Sequence, residues 1–454
     1  MASVEGLPAG PLESPLRQTL RWVREPVELL DECSARYGDT FTIRFASMPP
    51  TVMLSQPAAI KQVFTGDPEV LRSGAANEIL QAVVGPDSLL VLDGERHLRE
   101  RRLLLPPFHG ERLQAYETIV AQVAERWIDS WPTGQPFAVA LSMHAITLEV
   151  IRRAVLGVED PERANRLERA LKQLLNVTSR PRRLLALMLM KPDGWSVRAW
   201  RRWGPTFRRV NDLLLDEIRI RRSDPALSER ADILSLLLLV EDEDERRLDD
   251  EHVRDELITL LAAGHDTTAT ALAWALERLA REPEMLDRVA EDGHSYTDAV
   301  ARETLRLRPV VPFVIRELAA PVEVAGRSYP AGVRLAPCVH LLHRRPDIYP
   351  EPHEFRPERF LDDPPGTYEW IPFGGGTRRC LGASFALLEM RGVLSAVAHA
   401  GCLRPAQAGA EPVGRRGVFL APGSGGRVIF QRPRRYSPST LMMSRLSRRP
   451  PNST

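Results

Sequence analysis

The sequence predicts a mainly α-helical protein with small β-sheets, organised as one large domain. Long helical periodicities fill the middle of the chain, from about Leu113 to Arg281. Short alternating apolar segments occur only toward the two ends, beside turn-forming residues. Across 454 residues no Pro/Gly/Ser-rich linker separates halves of different composition, so positions 1–430 read as a single domain in spite of their length.

Taken in order, Pro26 to Tyr37 has the pattern of a helix, and Thr40 to Phe45 and Thr51 to Leu54 alternate like two strands around Met48, Pro49 and Pro50. Helical patterns follow at Ala115 to Trp131, Leu141 to Val155, Arg163 to Asn176 and Pro205 to Arg222. The longest pattern runs from the N-cap Asp249 to about Arg281, with Asp250 and Glu251 complementing the helix dipole. Such a rod is roughly 50 Å long and could run through the whole domain. After Leu307 come strand-like pieces at Val322 to Val324 and Val333 to Ala336, a Gly-rich loop, a helix near Ser384 to Ala400, and a hairpin around Gly417 to Ile429. Positions 431–454 are basic and poor in large apolar residues, which predicts a disordered tail.

Composition narrows the function. Lys plus Arg number 61 and Asp plus Glu 60, a formal charge of +1, so no whole-chain field points to nucleic acid. Four widely spaced cysteines without a Cys-x-x-Cys pair argue against a disulfide framework or structural zinc, and fit a cytoplasmic protein. Met1 to Pro15 lacks the charged start and apolar core of a signal peptide. The apolar runs Leu184 to Met190 and Leu234 to Val240 fall short of the ~20 residues of a transmembrane helix. The stretch from Arg180 to Trp203 mixes apolar residues with arginines and tryptophans, which fits a lid over a substrate entrance or, as the lesser reading, peripheral contact with a membrane surface.

The chemistry centres on Phe373-Gly374-Gly375-Gly376-Thr377-Arg378-Arg379-Cys380-Leu381-Gly382. Glycines let a large planar group approach the backbone, and a cysteine at a helix N-terminus beside two arginines is expected to have a lowered pKa. Taken alone, Cys380 reads as a buried cysteine. A phosphatase-type nucleophile would need an arginine six positions on, where Ala386 stands. The whole run resembles the haem loop of the cytochrome P-450 superfamily, Phe-x-x-Gly-x-Arg-x-Cys-x-Gly, matched by Phe373, Gly376, Arg378, Cys380 and Gly382. The resemblance implies haem b (iron protoporphyrin IX) with Cys380 as its axial thiolate, and a triangular helical prism with the haem between the long central helix and the cysteine-loop helix.

At the middle of that central helix, Ala262-Ala263-Gly264-His265-Asp266-Thr267-Thr268 places a glycine and two β-branched hydroxyl residues among good helix formers. Thr267 is expected to bond back to a carbonyl or a water and to open a groove beside Gly264; alternatively, Asp266 or Thr267 caps a second helix. The segment resembles the family's (Ala/Gly)-Gly-x-(Asp/Glu)-Thr-Thr element, which implies that Thr267 steadies activated oxygen and Asp266 helps deliver protons. His265 reads as a solvated or structurally bonded histidine.

Glu303 and Arg306 are three apart and share a helix face, as do His97 and Arg101, four apart. By resemblance, Glu303, Arg306 and Arg359 form a buried network behind the haem, while His97, Arg101, Arg316 and Arg378 bind its propionates. Many family members carry Trp where His97 stands. The implied reaction inserts one atom of O2 into a hydrophobic small molecule. Electrons are expected from a separate ferredoxin or flavodoxin with an NAD(P)H-dependent reductase, and Arg99, Arg102 and Arg379 are candidates for the docking surface. Ser73 to Leu92, Val311 to Val314 and the tip near Phe419 would line the substrate pocket, and a monomer is expected. The competing readings are a haem-thiolate peroxygenase or isomerase and a non-catalytic haem sensor.

Overall fold

A computed structural model describes residues 6–108, 110, 112–178, 197–241 and 247–432. The tail beyond 432 and most of the Arg180 to Trp203 stretch, with its apolar run at Leu184 to Met190, lie outside the described residues. The elements that position the site are α1 (Gly94–Leu104), α2 (Arg112–Asp129), α3 (Val139–Leu156), α4 (Asp250–Arg281), α5 (His294–Leu307) and α6 (Ala383–Ala400).

The predicted central rod is α4, which runs unbroken for 32 residues from its N-cap Asp249, whose side chain accepts from the His252 amide at 2.8 Å. No second helix starts at Ala269. The helix is buried on nearly every side from Thr268 to Ala280, with Leu272, Trp274, Leu276 and Leu279 among the enclosed residues, as expected of a helix passing through a core rather than over it. Helices α3 and α6 pack against it, and α2 packs against both of those. Gly264 permits one of these contacts: a Cβ there would come within 2.9 Å of the Ile151 side chain on α3. The missing side chain serves close helix packing on this side, while Gly264 itself stays partly exposed.

The first sheet is built from both ends of the described chain. Its strands are β1 (Thr40–Ile43), β2 (Thr51–Leu54), β3 (Leu71–Arg72), β4 (Arg316–Leu318) and β5 (Arg334–Pro337), in the order β1-β2-β5-β4-β3. Strands β1 and β2 pair antiparallel with Phe41 opposite Met53, whereas β2 and β5 run parallel with Val52 opposite Leu335. This register buries Phe41, Val52, Met53 and Leu335, and it delivers Arg316 at the start of β4 into the interior.

Two element predictions need correction. Pro205 lies inside the helix Val197–Arg222 rather than at its start. The single backbone bond that proline cannot make is outweighed there by the buried row of Phe207, Val210, Leu214 and Ile218. The last hairpin pairs β6 (Val413–Arg416) with β7 (Phe419–Pro422) and turns at Gly417, where φ is +58°. It does not extend to Ile429. Gly425 and Gly426, both at positive φ, redirect the chain so that Arg427–Gln431 joins a separate sheet with Cys402–Pro405 and Pro136–Ala138. Among the described residues, no helix is long and apolar enough to cross a membrane.

Candidate functional site

The cysteine loop is shaped by its glycines. Gly374 and Gly376 adopt φ of +67° and +64°, a left-handed conformation that disfavours other residues. A Cβ on Gly376 would fall 1.9 Å from the Phe64 carbonyl oxygen, and one on Gly375 would overlap the Phe64 ring, so the loop lies directly on the helix Pro57–Thr65. The Cys380 amide donates to the Phe373 carbonyl at 2.8 Å, closing the loop, and Gly382 then caps α6. A Cβ on Gly382 would meet nothing within 4 Å. Cys380 is exposed, and the space beside Gly382, two residues on, is open.

The thiol's acidity differs from the sequence expectation. Burial raises the Cys380 pKa above its ordinary value, and the Gly382 amide, Arg101 and Arg379 only partly oppose it. Helix end and arginines do act in the predicted direction, but desolvation of the thiolate is larger. A bound metal cation, by contrast, deprotonates a coordinating thiol outright.

Around this opening gather the predicted cations. His97 is buried on α1, and its pKa is lowered to about 3 by burial and by Arg378, Arg101 and Arg316. Arg316 donates to the Ile315 carbonyl at 2.9 Å and to the Ser73 hydroxyl at 3.4 Å, and has no carboxylate bonded to it among the described residues. Arg378 reaches Asp93 at 2.5 Å, the Leu89 carbonyl at 3.1 Å and the Leu92 carbonyl. Burial and mutual repulsion lower the pKa of both guanidiniums to about 10. Three guanidiniums with one carboxylate, Asp93, leave an interior excess of positive charge that calls for an anionic group. The donor set fits a haem: a soft sulfur ligand, a glycine-lined opening and cations for two propionates.

Behind the loop, Glu303 and Arg306 on α5 are both 0% exposed and form a two-pronged ion pair at 2.7 and 2.8 Å. Arg306 also donates to the carbonyls of His343, Pro352 and Glu354, at 2.8, 2.8 and 3.0 Å. Arg359 approaches Glu303 at 3.6 Å and donates to the Glu351 carbonyl at 2.9 Å, so the predicted triad assembles. His343 was not foreseen. Its Nε2 accepts from the Ile371 amide at 2.9 Å, linking the triad to the residues immediately before Phe373.

On α4, Thr267 donates to the Ala263 carbonyl at 2.7 Å, the predicted back-bond, while the helix stays continuous. Ala263 is exposed and Thr267 half-buried, so this edge of α4 remains uncovered in the middle of the fold. Asp266 points elsewhere. Its Oδ1 meets Arg416 Nε on β6 at 3.1 Å, His144 Nδ1 on α3 at 3.2 Å and His265 Nε2 at 3.4 Å. Burial alone would raise the Asp266 pKa, but His144, His265 and Arg416 hold it well below the usual carboxylate range. His265 is the structurally bonded alternative: its Nδ1 lies 2.9 Å from the Thr147 hydroxyl, and burial lowers its pKa to about 3. Neither His144 nor Arg416 was legible as a partner of Asp266, since both come from distant elements.

A thiol at the mouth of a glycine loop, ringed by cations and set under a long interrupted-composition helix, defines a haem-thiolate protein. Comparison with known proteins agrees. The family model described as "Cytochrome P-450" matches residues 8–400. Cytochrome P-450 135B1 of Mycobacterium tuberculosis is 42% identical over 433 residues, covering 93% of this chain and 91% of that protein. Cytochrome P-450 138 of the same organism is 38% identical over 423 residues, covering 92% and 94%. Among solved structures, the retinoic acid-bound cyanobacterial CYP120A1 superposes with a TM-score of 0.80 at 22% identity, covering 94% of this chain and all of that one, a likeness of fold alone. The chain belongs to the cytochrome P-450 family and is an oxygen-incorporating oxidoreductase that binds haem through a cysteine thiolate.

Proposed function

We propose that the protein inserts one oxygen atom from O2 into a hydrophobic small molecule, with Cys380 as the haem ligand and Asp266 and Thr267 as the oxygen-activating pair. Haem b, when bound, supplies the iron at which O2 is reduced and cleaved. Everything else falls to the chain. Gly374 and Gly382 give the macrocycle room beside the sulfur, and Phe373 closes the loop through its carbonyl. When haem is bound, His97, Arg101, Arg316 and Arg378 would hold its two propionates, the guanidiniums supplying the neutralising charge. Thr267 presents its hydroxyl at the uncovered edge of α4. Asp266 holds its proton-relay position through the buried His265 on α4 and through His144 on α3 and Arg416 on β6, whose side chains are partly exposed. Glu303, Arg306 and Arg359 act as structural residues.

The observation that carries this reading is the convergence of Arg101, Arg316, Arg378 and His97 beside Cys380, with Asp93 the one carboxylate ion-paired to them among the described residues. Retention of Asp266 and Thr267 favours the O2 route over a peroxygenase, isomerase or sensor. Electrons come from a separate ferredoxin or flavodoxin with its NAD(P)H-dependent reductase, met by a basic face to which the exposed Arg99, Arg102 and Arg379 contribute. The substrate is hydrophobic. The hairpin tip reaches this side of the fold, since the Leu420 amide donates to the Val310 carbonyl at 2.9 Å, next to Val311 to Val314.

Turnover of a hydrophobic substrate library with a surrogate ferredoxin and reductase tests the proposal. Oxygenated product that requires NAD(P)H and O2 is expected. Product formed only with hydrogen peroxide would replace it with the peroxygenase reading, and substrate binding without product under both conditions would replace it with the sensor.

A further inference from the structure

A second polar cluster lies where α1 meets the N-terminal part of α4, apart from the residues assigned to haem. Glu100 on α1 and His252 and Glu256 on α4 each turn one ligand atom into the same small volume, all within 4.8 Å of one another. His252 and Glu256 are four apart and so share one helix face. His252 Nε2 and Glu100 Oε2 stand 2.9 Å apart, an ion pair when the imidazole is protonated, and neither atom has another hydrogen-bond partner among the described residues.

Glu256 provides an independent sign of a ligand. Its side chain is 0% exposed; Oε1 accepts from the Leu89 amide at 2.8 Å, while Oε2 is buried in the cluster with no hydrogen-bond partner. The nearby guanidinium is committed elsewhere: Arg254 pairs with Asp255 at 2.5 Å, and the Asp255 carboxylate also accepts from the Asp87 amide at 3.1 Å. Among the described residues no Lys or Arg forms an ion pair with Glu100 or Glu256. A protonated His252 balances Glu100, but the second carboxylate, Glu256, is left without a counter-charge of its own among the described residues.

We propose that Glu100, His252 and Glu256 form a binding site for a divalent borderline transition metal, with Zn2+ the fitting ion. One imidazole nitrogen and two carboxylate oxygens are a donor set that zinc accepts, usually with water at the fourth position. A tetrahedral ion holding such atoms at about 2.0–2.2 Å sets them about 3.3–3.6 Å apart. That spacing falls between the 2.9 Å closest approach and the 4.8 Å limit seen here. The side chains of His252 and Glu100 retain 13% and 9% exposure, which gives the ion an entry path and room for a water. Its place suggests its effect. It joins α1, the carrier of His97 and Arg101, to α4, and Glu256 also grips Leu89, whose carbonyl accepts from Arg378. An ion there ties the two helices and the propionate-side loop together.

The test is titration of Zn2+ into the metal-stripped, haem-loaded full chain free of any histidine tag, read by calorimetry and by the thermal midpoint. One equivalent of Zn2+ should bind and raise the midpoint, and His252→Ala and Glu256→Gln should each weaken binding on the order of tenfold or more. Zinc-edge X-ray absorption on the unmodified protein should report nitrogen and oxygen ligands, one of them imidazole, and does not depend on the variants folding. Absence of stoichiometric binding would overturn the proposal, as would an equal response to Mg2+. So would binding that survives both substitutions but disappears in His144→Ala, which would move the ion to the His144, His265 and Asp266 cluster.

Discussion

Arg306→Ala removes in one change the guanidinium that holds the back of the cysteine loop together. In the folded protein Arg306 and Glu303 are fully buried and joined by bonds of 2.7 and 2.8 Å. Removing one partner of such a pair leaves an uncompensated buried charge, at a cost of about 3–5 kcal/mol. Arg359, 3.6 Å from Glu303, offsets part of that loss. Against this offset, the carbonyls of His343, Pro352 and Glu354 lose their donor, each at about 1–3 kcal/mol unless water reaches it. The net expectation is a destabilisation of ~4 kcal/mol, accompanied by poor haem retention, because His343 and Ile371 connect the triad to the loop. Arg306→Lys, which keeps the charge but loses the fork, should fall between the two. Urea unfolding followed by far-ultraviolet circular dichroism, with haem content measured on the same preparations, reads both effects. A loss below about 1 kcal/mol with full haem content would refute the reasoning, since exposed pairs are worth no more than that.

Two further expectations follow from the polar groups of the interior. Thr267→Ala should increase uncoupled peroxide release per NAD(P)H consumed, since the hydroxyl at the uncovered edge of α4 is lost; unchanged coupling would remove Thr267 from the proposed pair. His340 is fully buried, and its pKa is lowered to about 4 chiefly by burial, so it folds in the neutral state while the unfolded chain binds a proton below about 6.5. Stability is therefore lost as pH falls from about 6.5 toward 4, and between pH 7 and 5 this one group removes roughly 2 kcal/mol. His340→Gln should lack that share of the acid sensitivity in unfolding measured across pH, and an identical pH slope in both proteins would contradict the assignment.

Most of what the sequence made legible was local. The cysteine loop, the central helix with its N-cap Asp249, the Glu303 and Arg306 pair and the His97 and Arg101 pair each lie within a short stretch, where spacing fixes which side chains share a face. What escaped was supplied by elements far apart in the chain. Nothing in the neighbourhood of Asp266 announces His144 from α3 or Arg416 from β6, and nothing near Arg378 announces Asp93 as its counter-charge. The helix end and the arginines that favour the Cys380 thiolate are visible in sequence, whereas the opposing desolvation, which raises its pKa, depends on tertiary packing. That Gly264 also permits a packing contact was not legible, because the residue facing it, Ile151, lies more than a hundred positions away.

The central claim is that Cys380 is the haem ligand, and the carbon monoxide difference spectrum of the reduced protein tests it most directly. The wild-type protein should show the red-shifted band of a thiolate-ligated haem. Cys380→His, placing a neutral nitrogen ligand at the same position, should bind haem and lose that shift. A wild-type spectrum without the red shift, or a red-shifted band that persists in Cys380→His, would contradict the account.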